Sequence, residues 1–172
     1  MDTSAITIRP VTTADTEKIT EIYNHYILNT TATFETAPVS TAEMEQRIAT
    51  ISATNPYIVA EKQHKLLGFA FVHQWKQRQA YNITAETTIY LSPDRLRSGI
   101  GTTLLTELIR QCREKTHYRT LIACITADNN ASCKFHEKHG FVRASLFRQV
   151  GSKFGTLLDV TDYQLILHGS FI

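Results

Sequence analysis

The chain predicts a mixed α/β (α+β) fold, with about seven strands in a mostly antiparallel sheet flanked by about four helices, on three observations. Apolar segments follow one another in the order β, α, α, a run of strands, α, β, α, β, β. The helical segments repeat at the spacing of one helix face, while the others alternate or are short and β-rich. The 172 residues, 42% hydrophobic and 20% charged, bury a full core without disulfide or metal staples and suit one domain over residues 1–172.

Ala5–Arg9 alternates and starts the sheet. Thr13 or Asp15 caps a helix whose Ile19, Ile22, Tyr23 and Tyr26 share a face. Asn29–Pro38 has no helical period and reads as a loop. A second helix starts at Ser40 or Thr41, puts Met44, Ile48 and Ile51 on one side and ends at Pro56. Tyr57–Ala60 and Leu66–Val72 form a hairpin about the polar turn Glu61–Lys65. The polar stretch Lys76–Gln79 follows Trp75, and the strand Ile83–Leu91 stops at Ser92-Pro93-Asp94. Arg95-Leu-Arg-Ser-Gly-Ile-Gly101 then leads into a helix with Leu104, Leu105, Leu108, Ile109 and Cys112 on its apolar face. Thr120–Ile125 is a strand of the buried kind. Asn129 or Asn130 caps a last helix that stops at Gly140 in a left-handed C-cap. Phe141–Val150 and Leu157–Leu167 close the chain as strands joined by Gly151–Gly155.

Lys plus Arg is 18 and Asp plus Glu is 16, a net charge of +2, and no basic stripe carries interleaved aromatics. Neither nucleic acid nor an anionic membrane has an electrostatic case. No apolar run approaches the ~20 residues of a membrane helix. The opening MDTSAITIRP lacks the basic and apolar regions of a secretory signal. Cys112, Cys124 and Cys133 are odd in number and form no CxxC pair, so they read as reduced core or partial-core thiols of a cytoplasmic protein. His136 and His139 are three apart, not the spacing of HExxH, and read as packing residues, with no metal implied.

The sharpest chemical signal is the turn before the third helix. Gly99 and Gly101 let the backbone approach a bound group. The free N–H groups and positive dipole end of the following helix suit an anion such as a pyrophosphate, and Arg95 and Arg97 add charge. The turn lacks the GK[ST] of a P-loop, and Leu104 takes the third glycine position of the dinucleotide fingerprint. On the turn alone, a glycine-containing helix start that binds nothing fits equally well.

With its surroundings, the turn resembles the acetyl-CoA-binding segment of the GNAT N-acyltransferase superfamily, Q/R-x-x-G-x-G/A. Gly99 and Gly101 match, and Leu96 stands where Gln or Arg is usual. Asp128–Phe141 is similar to the family's later helix, N-x-x-A…Y-E-K-x-G-F, with Asn129 in register, Ser132 for Ala and His136 where many relatives carry Tyr. The resemblance narrows to the phosphinothricin/methionine sulfoximine N-acetyltransferase branch. Its pieces are Ile22–His25, Asn29–Phe34, Ala80-Tyr81 followed by Glu86, Asp128-Asn129 with Ala131-Ser132, and Val150-Gly-x-Lys-Phe-Gly155 with Leu158-Asp159. Where that branch has WRP after the third strand, this chain has Trp75-Lys-Gln-Arg78.

The resemblance implies a twisted central sheet, a homodimer, and direct transfer of acetyl from acetyl-CoA to the primary amine of a small amino-acid-like substrate, without metal. Glu86 matches the branch's base. The main chain of Ile89, Tyr90 and Leu91 is implied to lie beside acetyl and pantetheine, with the Leu91 N–H as oxyanion donor and a splay from Thr120–Ile125 making room. Arg97, Ser98, Gly99, Ile100, Gly101 and Thr102 are implied at the pyrophosphate, with Asn129 and Lys138 also on the cofactor. Tyr90 and His136 are candidate acids for the leaving thiol, though its pKa of ~8.5 makes an acid dispensable and His136 reads more simply as packing near the cofactor. Lys76 and Arg78, with Trp75 and Gln77 on the same loop, are candidates for the substrate's anionic group, and Lys153 is a further one. Phe34, Trp75 and Tyr81 would wall the pocket, and Thr87 and Thr88 flank the base and touch substrate. The rivals are an acetyltransferase for protein N-termini, lysines or polyamines, against which the Lys/Arg-bearing loop speaks in the last case, and a non-catalytic acyl-CoA-binding regulator, against which Glu86 speaks.

Overall fold

A computed structural model describes residues 5–96 and 98–168. In chain order the elements are β1 (Thr7–Pro10), α1 (Thr16–Asn29), α2 (Thr41–Ser52), β2 (Tyr57–Lys62), β3 (Lys65–Gln74), β4 (Thr84–Leu91), α3 (Ile100–Lys115), β5 (Thr120–Thr126), α4 (Asn130–Lys138), β6 (Val142–Arg143), β7 (Phe147–Lys153) and β8 (Thr156–Ile166). The strands form one sheet in the order β1-β2-β3-β4-β5-β8-β6, with β7 also paired to β8. Every pairing is antiparallel except β4 with β5, because α3 carries the chain back across the sheet between them.

Local chemistry sets the element ends. The Ser40 hydroxyl accepts from the Glu43 N–H at 3.1 Å and starts α2. The Asn129 side-chain oxygen accepts from the Ser132 N–H at 3.1 Å and starts α4. Gly140, at φ 87°, stops α4 in the expected left-handed conformation. Helix α1 begins one residue after Asp15, whose carboxylate accepts from the Thr12 N–H and from the Arg9 guanidinium, each at 2.8 Å.

The mostly antiparallel sheet and the four helices hold, but the strand count is eight among the described residues. The extra strand comes from Phe141–Val150, which does not run as one piece. After β6 the Ala144 N–H donates to the Asp162 carbonyl and the Ser145 hydroxyl to the Asp162 carboxylate, which turns the chain out of the ladder. Strand β7 then resumes and takes in Gly151–Lys153, expected as turn. The turn shrinks to Phe154-Gly155, at φ 51° and 73°, the positive pair that a tight two-residue hairpin needs.

Two apolar layers sandwich the sheet. Leu104, Leu105, Leu108 and Cys112 of α3 and Cys133 of α4 pack on Ala85, Leu121, Ala123 and Ile125. Ile19, Ile22 and Ile27 of α1 and Met44 and Ile48 of α2 pack on Tyr57, Val59 and Phe69 of the other face. Each fully buried Leu or Ile contributes about 1.5–3 kcal/mol. Because β4 alternates, Ala85, Thr87, Ile89 and Leu91 face the α3 side, and Glu86, Thr88 and Tyr90 face the α1 side.

Candidate active site

Strands β4 and β5 part company. Their ladder pairs Thr84 with Thr120, Ala85 with Leu121 and Glu86 with Ile122, and ends there, although β4 continues to Leu91 and β5 to Thr126. On its other edge β4 stays registered to β3 as far as Gly68 opposite Leu91. The Ser92 N–H donates to the Leu67 carbonyl on β3. By strand alternation the amides of Ile89 and Leu91 therefore point to the opposite edge, into the fork. The Leu91 carbonyl on that edge is held by the Tyr26 hydroxyl at 2.7 Å. At the root of the fork the Thr87 hydroxyl donates to the Ile122 carbonyl at 3.2 Å. Thr87 faces away from Glu86 and commits its hydroxyl to the fork's root, while still lining the cavity beyond it.

One cavity of about 900 Å³ runs through this fork and reaches both layers. At one end it is lined by Leu96, Ser98, Gly99, Gly101 and Thr102, and along its length by Ile89, Tyr90, Leu91, Asn129 and His136. Gly99 sits at φ 83°, and a Cβ there would meet nothing within 4 Å, so conformation rather than crowding asks for glycine. The Thr103 N–H is the one that reaches back to the Gly99 carbonyl, so the amides of Ile100, Gly101 and Thr102 have no helical partner among the described residues. These amides and the Leu91 amide give the cavity a row of backbone donors that fits a long anionic thioester. Ile100 contributes only its amide, since its side chain is 2% exposed in the core. Lys138 is exposed at the end of α4 and does not line the cavity. Arg97 lies outside the described residues.

Asn129 caps α4 with its oxygen, which leaves the side-chain NH₂ as a donor. His136 is buried, with Nδ1 2.9 Å from the Ser132 carbonyl, and burial pushes its pKa down, so it stands neutral. Its Nε2 is then an acceptor and carries no proton to give. The Tyr90 phenol donates to the Ala32 carbonyl at 3.3 Å, and burial raises its pKa far above the usual range.

Glu86 lies midway along the cavity. Burial pushes its carboxyl above the usual carboxylate range; His73, with Nε2 at 4.0 Å, draws it back and Asp162 pushes it further up. Beyond it the cavity ends among Met44, Ile51, Tyr57, Phe69 and Phe71, with Phe34, Glu35, Arg47 and Thr88 at the sides. Of the aromatic residues expected as walls, Phe34 alone lines the cavity.

The loop after β3 takes no part in this cavity. Trp75 and Tyr81 meet edge-on with centroids 5.4 Å apart, the Lys76 ammonium sits 4.0 Å over the Trp75 ring, and Gln74 donates to the Lys76 carbonyl. This cation–π cluster folds the loop on itself, and Gln77 and Arg78 are exposed. None of Trp75, Lys76, Gln77 and Arg78 lines the cavity. The guanidinium that does is Arg47, paired with Glu35 and Glu43 at 2.5 Å each. Sequence reasoning missed it because a charged residue on a solvated helix carries no signal. Lys153, instead of facing substrate, is 4% exposed and donates to the Thr33 carbonyl at 2.7 Å. Cys124, expected in the core or at its margin, is exposed and faces the cavity, since its neighbours Ala123 and Ile125 take the core side of β5. Burial, then the carboxylates of Glu86 and Asp162, push its thiol up to about 12.

Comparison with known proteins agrees with this geometry. An acetyltransferase (GNAT) domain matches residues 8–161. The chain is 41% identical to a phosphinothricin N-acetyltransferase of Alcaligenes faecalis, over 93% of this chain and 82% of the relative. It is 34% identical to an L-methionine sulfoximine/L-methionine sulfone acetyltransferase of Salmonella typhimurium, over 94% and 95%. The crystal structure of a GNAT phosphinothricin acetyltransferase from Sinorhizobium meliloti in complex with acetyl-CoA superposes with a TM-score of 0.90 at 37% identity, covering 94% of this chain and 88% of that one. The chain belongs to the GNAT acetyltransferase family. It is an acyltransferase, and acetyl-CoA is the acyl donor that family uses.

Among the described residues no group of three or more His, Cys, Asp or Glu side chains could hold a metal ion, and no helix is long and apolar enough to cross a membrane.

Proposed function

We propose that this chain N-acetylates a small amino-acid-like amine, of the phosphinothricin, methionine sulfoximine or methionine sulfone type, with Glu86 as the base. The observation that carries this is a single cavity in which a half-buried carboxylate stands between a row of free backbone amides and an aromatic end. Acetyl-CoA supplies an activated thioester. The amides of Ile100, Gly101 and Thr102 bind its pyrophosphate, and Asn129 and the fork-facing edge of β4 hold the arm. The Leu91 N–H is aimed where negative charge develops on the thioester oxygen. Glu86, with its pKa raised by burial, takes the proton of an ammonium that must be neutral to attack. The thiol, at ~8.5, leaves as thiolate without an acid, which suits the committed phenol of Tyr90 and the neutral His136. Tyr57, Phe69, Phe71, Met44 and Ile51 give the acceptor's side chain an apolar wall.

The same reading places the enzyme in the cytoplasm, in keeping with three free cysteines. It makes the enzyme a homodimer, with the second copy on the apolar row Phe147, Val150, Phe154 and Leu157 of the last hairpin.

A thiol-release assay with acetyl-CoA against phosphinothricin, methionine sulfoximine, methionine sulfone, ordinary amino acids and polyamines tests the substrate class. Glu86→Gln is expected to lower kcat/KM by about 10²–10⁴-fold. In the wild type kcat/KM falls as pH drops through the raised Glu86 value, because the protonated carboxyl accepts nothing; in the variant that limb disappears. A variant with the wild-type rate at every pH would remove Glu86 from the mechanism. Binding of acetyl-CoA with no turnover on any amine would leave a regulator.

A further inference from the structure

We propose that Lys153 is a positioning residue for the amine acceptor, acting by pinning the Thr31–Glu35 strap that walls the acceptor end of the cavity; this rests on the acyltransfer reading above. Three consecutive carbonyls of the strap accept from side chains of three different strands. Thr31 accepts from the Thr126 hydroxyl of β5 at 2.5 Å, Ala32 from the Tyr90 phenol of β4 at 3.3 Å, and Thr33 from the Lys153 ammonium of β7 at 2.7 Å. The strap thus crosses the open end of the fork, tied to both diverging strands and to the hairpin beyond.

Its far end is tied as well. The Thr33 hydroxyl meets the Tyr23 hydroxyl at 3.0 Å, and the Tyr23 hydroxyl donates to Glu35 at 2.9 Å. The Phe34 ring lies so close over Gly151 that a Cβ there would overlap it. Ala32, Thr33, Phe34 and Glu35 line the cavity, whereas Lys153 does not, so Lys153 acts on the acceptor through Thr33.

A lysine is a costly way to hold a loop by packing alone. The residue is 4% exposed, and burial lowers its pKa against the raising field of Glu35. A charged donor gives a stronger, more directional hold on one carbonyl than a neutral one. That matters where the held segment fixes the distance between an amine and a base, since displacement by about 1 Å at such a wall costs up to about 10²-fold in rate.

The test compares wild type, Lys153→Met, Lys153→Arg and Gly151→Ala, with methionine sulfone as acceptor. Lys153→Met should raise KM for methionine sulfone by about 10-fold and leave KM for acetyl-CoA within about twofold, with Lys153→Arg recovering most of the loss. Gly151→Ala, which evicts Phe34 without touching a charge, should give the same split. Hydrogen exchange of the free proteins should quicken in the 31–35 segment of both Lys153→Met and Gly151→Ala and stay unchanged around α3. The proposal is overturned if the two KM values move together, if neither moves, or if exchange in the strap is unaltered. If wild type acetylates no amine at all, the acyltransfer reading fails, and the exchange data on free protein still judge the strap.

Discussion

Thr16, at the start of α1, is buried, and its hydroxyl is the one side-chain oxygen among the described residues that is fully enclosed without a partner. An unmade hydrogen bond in such a place destabilises, and a methyl of the same shape removes the penalty. The Thr20 hydroxyl bonds the Thr16 carbonyl, not its side chain, so that contact survives replacement. Thr16→Val should therefore raise stability by about 1 kcal/mol in urea denaturation; a loss of that size would mean that the hydroxyl has a partner in solution. At this scale the sequence was informative where a residue's role follows from its neighbours in the chain, as with Ser40, Asn129, Gly99 and Gly140. It was silent on Arg47 and on the packing of Lys76 against Trp75. A cation's usefulness depends on what stands opposite it, and a Trp–Lys–Tyr cluster is formed by residues that the β3–β4 connection brings together only on folding.

At the scale of elements, the β3–β4 pair decides where the proposed oxyanion donor lies. A Cβ on Gly68 would come within 2.6 Å of a Leu91 methyl and 2.8 Å of the Tyr90 carbonyl. Gly68→Ala must therefore push β4 off β3 just where Leu91 presents its amide to the fork. The expected result is a fall in kcat of at least about 10-fold with the acid limb of the pH profile unmoved, because Glu86 lies several residues back along the strand, opposite His73. A loss of stability of about 1–3 kcal/mol should accompany it. An unchanged kcat would separate the Leu91 amide from the chemistry. The strands around this pair were legible because apolar alternation is a local property. The break between β6 and β7 was not, since Ser145, between the two strands, makes it with Asp162 of β8, 17 residues on.

At the scale of the whole molecule, β7 is exposed along most of its length. Phe147 and Val150 are more than half exposed, and it pairs with β8 alone. An exposed apolar strand at the end of a sheet invites association. Light scattering behind gel filtration should give twice the chain mass for wild type and the single mass for Val150→Asp; a wild-type monomer would refute the assignment of this row to a second copy. Since the strap carrying Phe34 rests on Gly151 of the same strand, association and acceptor binding share one hairpin.

By itself the sequence determined the order of elements, the glycine turn that opens α3 and the carboxylate on the strand before it. Each is written in short-range terms: a period of 2 or 3.6, a cap, a backbone angle. Only the tertiary structure decided which side chains share the cavity. That depends on the row at which β4 and β5 stop pairing, a balance between segments separated by the whole of α3. At that row Ile122 is ordinary core; beyond it, with the same alternation, Cys124 is exposed to the cavity and Thr126 commits its hydroxyl to the Thr31 carbonyl.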